Sequence, residues 1–261
     1  MTLEIGGLTV RFGGVTALTE VDLTVRPGEL VGLIGPNGAG KTTLFDCLTR
    51  RVEPAAGRMR FEGAGLEGTA PHEVAGRGIA RTFQQLGLFS GLSVRENVMV
   101  GAHRHGRSGF GAAAIRPGRV RREERAIRRI ADEALDRVGL LPLADHPAVH
   151  LPHGTLKRVE IARALAVRPR LLLLDEPISG LGHDEIADFA RLVRDMHLTS
   201  DIMIIVVEHH MEFVMNLCER IVCLDSGRKI ADGASGRVRR DPRVIDAYLG
   251  VVPWASPAGR P

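Results

Sequence analysis

The chain has 261 residues, of which 44% are hydrophobic and 25% are charged, a balance typical of a soluble globular protein. One tryptophan and one tyrosine leave little aromatic surface for stacking on nucleic-acid bases, and the formal net charge is only +4. The longest apolar run, residues 202–207, is far shorter than the roughly 20 residues that a membrane-spanning helix needs. Because the N-terminus also lacks a signal-peptide pattern, we expect a cytosolic protein, or one bound to a membrane through a partner.

The first 34 residues show the pattern of antiparallel strands. Residues 3–34 alternate short apolar runs with glycine and polar residues. A turn at 26–29 leads into the apolar run 30–34, after which residues 35–43 read Gly-Pro-Asn-Gly-Ala-Gly-Lys-Thr-Thr. This is a Gly-x-x-x-x-Gly-Lys-Thr phosphate loop between a short buried strand and a helix predicted over 41–50, so the sequence predicts nucleotide binding.

The residue types in the phosphate loop suit the binding of a phosphate chain and its metal ion. Gly35, Gly38 and Gly40 let the backbone approach a phosphate chain closely. The amides from Gly38 to Thr42 face the anion at a helix N-terminus. Lys41 can reach the outer phosphates, and the hydroxyl of Thr42 can hold Mg²⁺. The predicted nucleotide-binding residues of the loop are Gly35, Pro36, Asn37, Gly38, Ala39, Gly40, Lys41, Thr42 and Thr43.

A change in composition follows a predicted strand at 57–63. Arginine, glutamate and alanine become more frequent over 72–158, and residues 101–118 are predicted to form a loop. The stretch 119–138 is predicted to be an amphipathic helix whose other face mixes acidic and basic residues, which favours a solvated face over a nucleic-acid or membrane patch. The apolar stripe of this helix consists of Ile127, Ile130, Ala134, Leu135 and Val138. We interpret this region as a helical subdomain inserted into an α/β core.

After this region the pattern of the α/β core returns, and two carboxylates follow one of its predicted strands. Buried strands are predicted at 171–174 and 202–207, with an amphipathic helix at 184–198 between them, which favours a mainly parallel sheet. Asp175 and Glu176 follow the first strand directly and should lie beside the phosphate loop. We expect Asp175 to hold Mg²⁺ and Glu176 to act as the general base for an attacking water.

The segments around these carboxylates carry a family resemblance. Leu-Leu-Leu-Leu-Asp-Glu-Pro at 171–177, preceded by Leu-Pro-His-Gly-Thr at 151–155, resembles the ABC transporter ATPase, and the resemblance spans about residues 3–250. It implies an α/β fold, a P-loop NTPase (RecA-like) core with an antiparallel β subdomain and an inserted helical subdomain. The implied divisions are a core of 3–84 and 159–250, a helical signature subdomain of about 85–158, and a C-terminal tail of 251–261.

The resemblance also implies roles for residues outside the phosphate loop. Gln84 looks like the glutamine that contacts Mg²⁺ and couples to transport, and His209 looks like the switch histidine at the γ-phosphate. Phe12 occupies the position at which the family places an aromatic ring on the adenine. The family's signature, which acts in trans on the ATP of a second subunit, corresponds to Leu151, Pro152, His153, Gly154 and Thr155.

The resemblance further implies an assembly on the cytoplasmic face of the cell membrane. Two ATPase subunits would form a head-to-tail dimer that drives two membrane permease subunits and, indirectly, a solute-binding protein, with no nucleic acid. The signature departs from the family's Leu-Ser-Gly-Gly-Gln at Pro152 and Thr155, and Gly182 replaces the usual Asp or Asn of the D-loop. We therefore expect a heterodimer with one weaker ATP site. Thr155 as a substitute donor, which would restore the symmetry of the sites, is one alternative, and a homodimer is another.

Four further segments, at 11–18, 81–89, 101–125 and 241–250, are similar to the ATP-binding subunit of branched-chain amino acid importers, the LivG-type subfamily. Related subunits serve other transporters, which are the alternatives: importers of urea, amides or other amino acids, and lipopolysaccharide exporters. A soluble ABC ATPase acting on nucleic acid or ribosomes is a different class, disfavoured by the single phosphate loop and the lack of a coiled coil. A P-loop kinase or GTPase-like switch would leave the signature, Gln84 and His209 unexplained.

Overall fold

Two β-sheets form the frame of the computed structural model, which describes residues 2–83, 87–105 and 117–249. The strands are β1 Leu3–Phe12, β2 Val15–Val25, β3 Leu30–Ile34, β4 Ala56–Phe61, β5 Ala64–Gly65, β6 Ile79–Arg81, β7 Leu171–Asp175, β8 Met203–Val207, β9 Arg220–Asp225 and β10 Arg228–Ala234. One sheet is antiparallel, with the order β2-β1-β4-β5. The other has the order β10-β9-β3-β8-β7-β6, and β10 alone among its described strands runs antiparallel to its neighbour.

Helices cover the parallel sheet and build the inserted region. They are α1 Lys41–Leu48, α2 Val94–Ala102, α3 Pro117–Arg137, α4 His153–Ala166, α5 His183–Leu198, α6 Met211–Leu217, α7 Ser235–Val238 and α8 Pro242–Leu249. Helices α2, α3 and α4 pack on one another, and the predicted apolar stripe of α3 is buried. Among the described helices, none combines the length and the apolar composition required to cross a membrane.

The hydrophobic core lies in two layers, one on each face of the parallel sheet. Leu171 and Leu173 of β7 point into a layer shared with α1 and the antiparallel sheet, while Leu172 and Leu174 point into a layer shared with α2 to α6. Because side chains alternate along a strand and both faces of this sheet are covered, the central strands are continuous apolar runs. The predicted α/β fold with an antiparallel β subdomain is confirmed.

Several boundaries differ from the sequence-based expectations. The strand expected at 57–63 spans Ala56–Phe61, and both ends of the loop expected at 101–118 are helical, since α2 continues to Ala102 and α3 begins at Pro117. Strand β6 and helix α2 were not predicted, although Ser93 and Glu96 form a capping box that signals the start of α2. The proposed subdomain boundary after residue 158 falls inside α4, whereas Gln84 and the tail 251–261 lie outside the described residues.

A buried asparagine on α2 holds the segment that precedes this helix. Asn97 is fully buried, its Oδ1 accepts a hydrogen bond from the Phe89 amide at 2.8 Å, and its Nδ2 donates to the Phe89 carbonyl at 3.0 Å. Removing the side chain would leave these polar groups without their partners, and an unsatisfied buried group costs more than a hydrogen bond contributes.

We expect Asn97→Ala to lower the free energy of unfolding by about 2 kcal/mol, measured by chemical denaturation of the nucleotide-free chain. The matched control is Asn216→Ala, at an exposed position on α6, which should change the free energy of unfolding by less than about 0.5 kcal/mol. Equal effects of the two substitutions would contradict the role given to Asn97.

Candidate functional site

The phosphate loop follows β3 and ends where α1 begins, with Gly40 as the N-cap residue. Its backbone conformation requires glycine at two positions. A Cβ on Gly35 (φ 149°) would lie 2.1 Å from the Leu224 carbonyl oxygen, and one on Gly40 (φ 99°) would lie 2.7 Å from the Ala17 carbonyl oxygen. Gly38 also has a positive φ, but a Cβ there would meet nothing within 4 Å, so this part of the loop faces open space. The loop is therefore anchored at its ends and open at its centre.

The lysine of the loop turns its ammonium back onto the loop itself. Lys41 Nζ donates to the carbonyl oxygens of Gly35 at 2.6 Å and Pro36 at 2.9 Å, and the side chain is buried. Burial lowers the pKa of Lys41, an effect opposed chiefly by the negative charge of Glu176. A buried ammonium held by two neutral carbonyls is poorly compensated, so the loop favours an anion, and phosphate oxygens fit this requirement.

A buried arginine connects the end of β7 to α1. Arg81 Nη2 and Nε donate to Oδ2 of Asp175 at 2.7 and 3.2 Å, and Nη1 donates to Asp46 at 2.6 Å. Arg81 and Asp175 are both almost fully buried. The guanidinium therefore fixes the orientation of the Asp175 carboxylate relative to the helix that follows the phosphate loop.

Glu176 and His209 face each other from the ends of two adjacent strands. Glu176 has a positive φ of 45°, and His209 Nε2 lies 2.9 Å from Glu176 Oε1. Beneath this pair, the buried carboxylate of Glu208 accepts hydrogen bonds at 3.0 Å from the amides of Ile178 and His209. Burial raises the pKa of Glu208. Glu208 thus ties the loop after Glu176 to the loop that carries His209.

The phosphate loop and the Glu176–His209 pair line one open cavity. The cavity has a volume of about 540 Å³ and is lined by Pro36, Asn37, Glu176, His209 and Tyr248. At the start of α1, Thr42 is exposed to solvent, as a residue that binds a ligand must be. The arrangement brings a carboxylate and an imidazole to the mouth of an anion-binding loop, which is suited to activating water for attack on a phosphoryl group.

Phe12 lies apart from this cavity, at the tip of the β1–β2 hairpin, where 51% of its surface is exposed. The same hairpin contacts the phosphate loop, since Ala17 and Leu18 of β2 approach Gly40 closely. The position is compatible with an aromatic ring beside the nucleotide base, and Phe12 as a base contact stays a prediction.

The signature segment lies at the start of α4 and does not line the cavity. Pro152 is the N-cap residue of this helix, and His153 Nε2 lies 3.2 Å from the Ser179 carbonyl oxygen in the loop after β7. Further along α4, the buried Glu160 accepts a hydrogen bond from the Phe83 amide at 2.8 Å. The helix that carries the signature is therefore bonded to the segment immediately before Gln84.

Three residues beside the site were not identified as functional from the sequence. Arg81 begins the segment 81–89 that carries part of the resemblance, but only the pairing of β6 with β7 shows that it meets Asp175. Glu208 had no predicted role, and its carboxylate binds two backbone amides. Tyr248 is 213 residues from the phosphate loop in sequence, so no local pattern could have linked them.

Two family models match this chain, and curated relatives are similar to it over most of its length. The family model "ABC transporter" matches residues 18–179, and the model "Branched-chain amino acid ATP-binding cassette transporter" matches residues 228–252. The high-affinity branched-chain amino acid transport ATP-binding protein BraF of Pseudomonas aeruginosa is 40% identical over 95% of this chain and 97% of its own length. LivG of Escherichia coli K12, described in the same words, is 38% identical over the same shares.

A solved structure gives the same result at the level of the fold. The ADP conformation of an ATP-binding cassette of an ABC transporter superposes with a TM-score of 0.83 at 30% identity, covering 96% of this chain and 99% of that one. The predicted ABC ATPase resemblance and the P-loop NTPase fold are thereby confirmed. The chain belongs to the ABC transporter family, as one of its ATP-binding and ATP-hydrolysing subunits.

Proposed function

We propose that this chain is the ATP-hydrolysing subunit of an importer for branched-chain amino acids, bound to the cytoplasmic face of the membrane through permease subunits. The observation that carries the catalytic part is the 2.9 Å contact between Glu176 Oε1 and His209 Nε2 at the mouth of the phosphate loop. The solute class is supported by the names of the two relatives and by the branched-chain family model over residues 228–252.

When ATP binds, the ammonium of Lys41 changes its partners from backbone carbonyls to phosphates. The ammonium exchanges the carbonyls of Gly35 and Pro36 for the outer phosphates, while the amides from Gly38 to Thr42 hold the remaining phosphate oxygens. Mg²⁺ would be held by Thr42, Asp175 and Gln84. When bound, it would neutralise charge that develops on the phosphate oxygens. Arg81 holds the Asp175 carboxylate in one orientation for this purpose.

Glu176 and His209, which follow the ends of two adjacent strands, carry out the hydrolysis step. Glu176 accepts a proton from the attacking water and orients this water towards the γ-phosphate. His209, which meets Glu176 before nucleotide binds, turns to the γ-phosphate and holds its geometry. Glu208 keeps the two loops at a constant separation through its bonds to the amides of Ile178 and His209.

The other face of the ATP site comes from a second ATPase subunit. Residues 151–155 lie outside the cavity of their own chain and present the N-terminus of α4, whose free amides suit a γ-phosphate delivered in trans. Pro152 offers neither a hydroxyl nor an amide proton, so this chain completes its partner's site with fewer donors than a serine would provide. We propose a heterodimer in which the partner retains the serine, so that the two ATP sites are unequal.

We expect Glu176→Gln to lower the rate of ATP turnover by at least about a hundredfold, because the amide cannot accept the proton of the attacking water. Steady-state phosphate release by the assembled transporter measures this rate. In cells that lack the natural gene, the wild-type chain should restore uptake of radiolabelled leucine, and Glu176→Gln should not.

The matched control is Glu212→Gln, the same chemical change at an exposed position on α6, which should leave turnover and uptake unchanged. Turnover by Glu176→Gln at the wild-type rate would contradict the catalytic assignment. Restored uptake of urea without uptake of leucine, isoleucine or valine would contradict the solute class alone.

Arg81→Met should lower the free energy of unfolding by about 3 kcal/mol, because it leaves the buried Asp175 carboxylate without its guanidinium partner. Chemical denaturation measures this effect. The control is Arg191→Met, whose exposed ion pair with Asp188 on α5 should contribute less than about 1 kcal/mol. A loss no larger than that of the control would show that Asp175 does not depend on Arg81.

The asymmetry of the two ATP sites can be tested by disabling each one separately. In the heterodimer, the catalytic glutamate is replaced by glutamine in this chain alone, and then in the partner ATPase alone. We expect the replacement in this chain to cause the larger loss of ATP turnover. The ATP site of this chain is completed by the partner's signature. The ATP site of the partner is completed by Pro152 to Thr155 of this chain. Equal losses would contradict the asymmetry and favour Thr155 as a substitute donor.

A further inference from the structure

The C-terminal helix of the chain ends at the phosphate loop. The hydroxyl oxygen of Tyr248, in the last turn of α8, accepts a hydrogen bond from the amide of Gly35 at 2.7 Å. Tyr248 also lines the cavity that contains Glu176 and His209. The contact joins two parts of the chain that are 213 residues apart, and the nucleotide-binding motif gives no reason to expect it.

The position of Tyr248 is fixed by the packing of its own helix. Val244 lies one turn earlier on the same face of α8 and is buried in the core layer that also contains Val238 and Ala231. Tyr248 lines a second cavity together with Met211 and Met215 of α6. The buried Val244 thus anchors the helix that brings the hydroxyl to Gly35.

Both the carbonyl and the amide of Gly35 are hydrogen-bonded to side chains. Its carbonyl accepts from Lys41 Nζ at 2.6 Å, and its amide donates to Tyr248. The bond to Lys41 must break when the ammonium turns to the phosphates of ATP. The bond to Tyr248 is donated by the amide of Gly35 and does not involve the Lys41 ammonium, so it need not break when the ammonium turns.

The protonation state of the hydroxyl suits this role at neutral pH. Burial raises the pKa of Tyr248 to about 12. The phenol therefore stays neutral, and its oxygen accepts the Gly35 amide without adding a negative charge beside the phosphate site.

We propose that Tyr248 is a positioning residue for ATP binding, whose hydroxyl holds the first glycine of the phosphate loop and so preorganises the loop for the phosphates. Through this contact the C-terminal segment 228–249 becomes part of the nucleotide site of its own chain. The inference concerns ATP binding and does not depend on the transported solute.

The test is Tyr248→Phe in the full-length chain, assembled with its partner ATPase and permease subunits. Phenylalanine keeps the aromatic ring and removes only the acceptor of the Gly35 amide. A hydrogen bond of about 1 kcal/mol corresponds to a factor of about five, so we expect the KM for ATP and the Kd of a fluorescent ATP analogue to rise about threefold to tenfold. We expect kcat to stay within about twofold of the wild-type value, since the chemical step does not use the hydroxyl.

Tyr248→Ala and hydrogen exchange separate positioning from packing. Tyr248→Ala removes the ring as well and should lower the melting temperature, whereas Tyr248→Phe should leave it close to the wild-type value. In the nucleotide-free chain, the Gly35 amide should exchange about threefold to tenfold faster in Tyr248→Phe than in the wild type. An unchanged KM, Kd and Gly35 exchange rate in Tyr248→Phe would overturn the proposal, and would leave the ring as a packing residue only.

Discussion

The parallel register of three neighbouring strands is the constraint on which the site depends. Leu33 of β3 and Asp175 of β7 both pair with Val207 of β8, so the three strands end at one edge of the sheet. The phosphate loop, Glu176 and His209 follow these ends directly, and a shift of one residue in any strand would turn its side chains to the opposite face. The apolar layers on both faces of the sheet stabilise this register, and thereby the geometry of the site.

The buried charges around that edge each have hydrogen-bond partners. Arg81 of β6 joins Asp175 to Asp46 of α1, Glu208 binds the amides of Ile178 and His209, and Lys41 binds its own loop. Of these, only Lys41 is held by groups that are weaker partners than a phosphate. In the proposed mechanism, nucleotide binding changes the partner of Lys41, while the surrounding charges keep the loops in place.

The accuracy of the sequence-based expectations followed the strength of the local pattern. The strands β7 and β8 and the helix α3 were predicted nearly to their ends because continuous apolar runs and a helical stripe are local signals. The three-residue strand β6 was missed, since it is too short for periodicity and forms only because β7 offers it an edge. The predicted boundary after residue 158 lies inside α4, a helix that serves both the core and the helical region.

The sequence by itself determined the chemistry of the site. The phosphate loop at 35–43 and the carboxylates Asp175 and Glu176 after an apolar strand are local motifs, and each predicts a chemical function from a few neighbouring residues. Only the tertiary structure decided which side chains orient that chemistry. Arg81 and Tyr248 act across 94 and 213 residues of sequence, and each meets its partner because a separate element packs there. Contacts of this kind depend on the whole fold, since the distance between two elements is set by the core that lies between them.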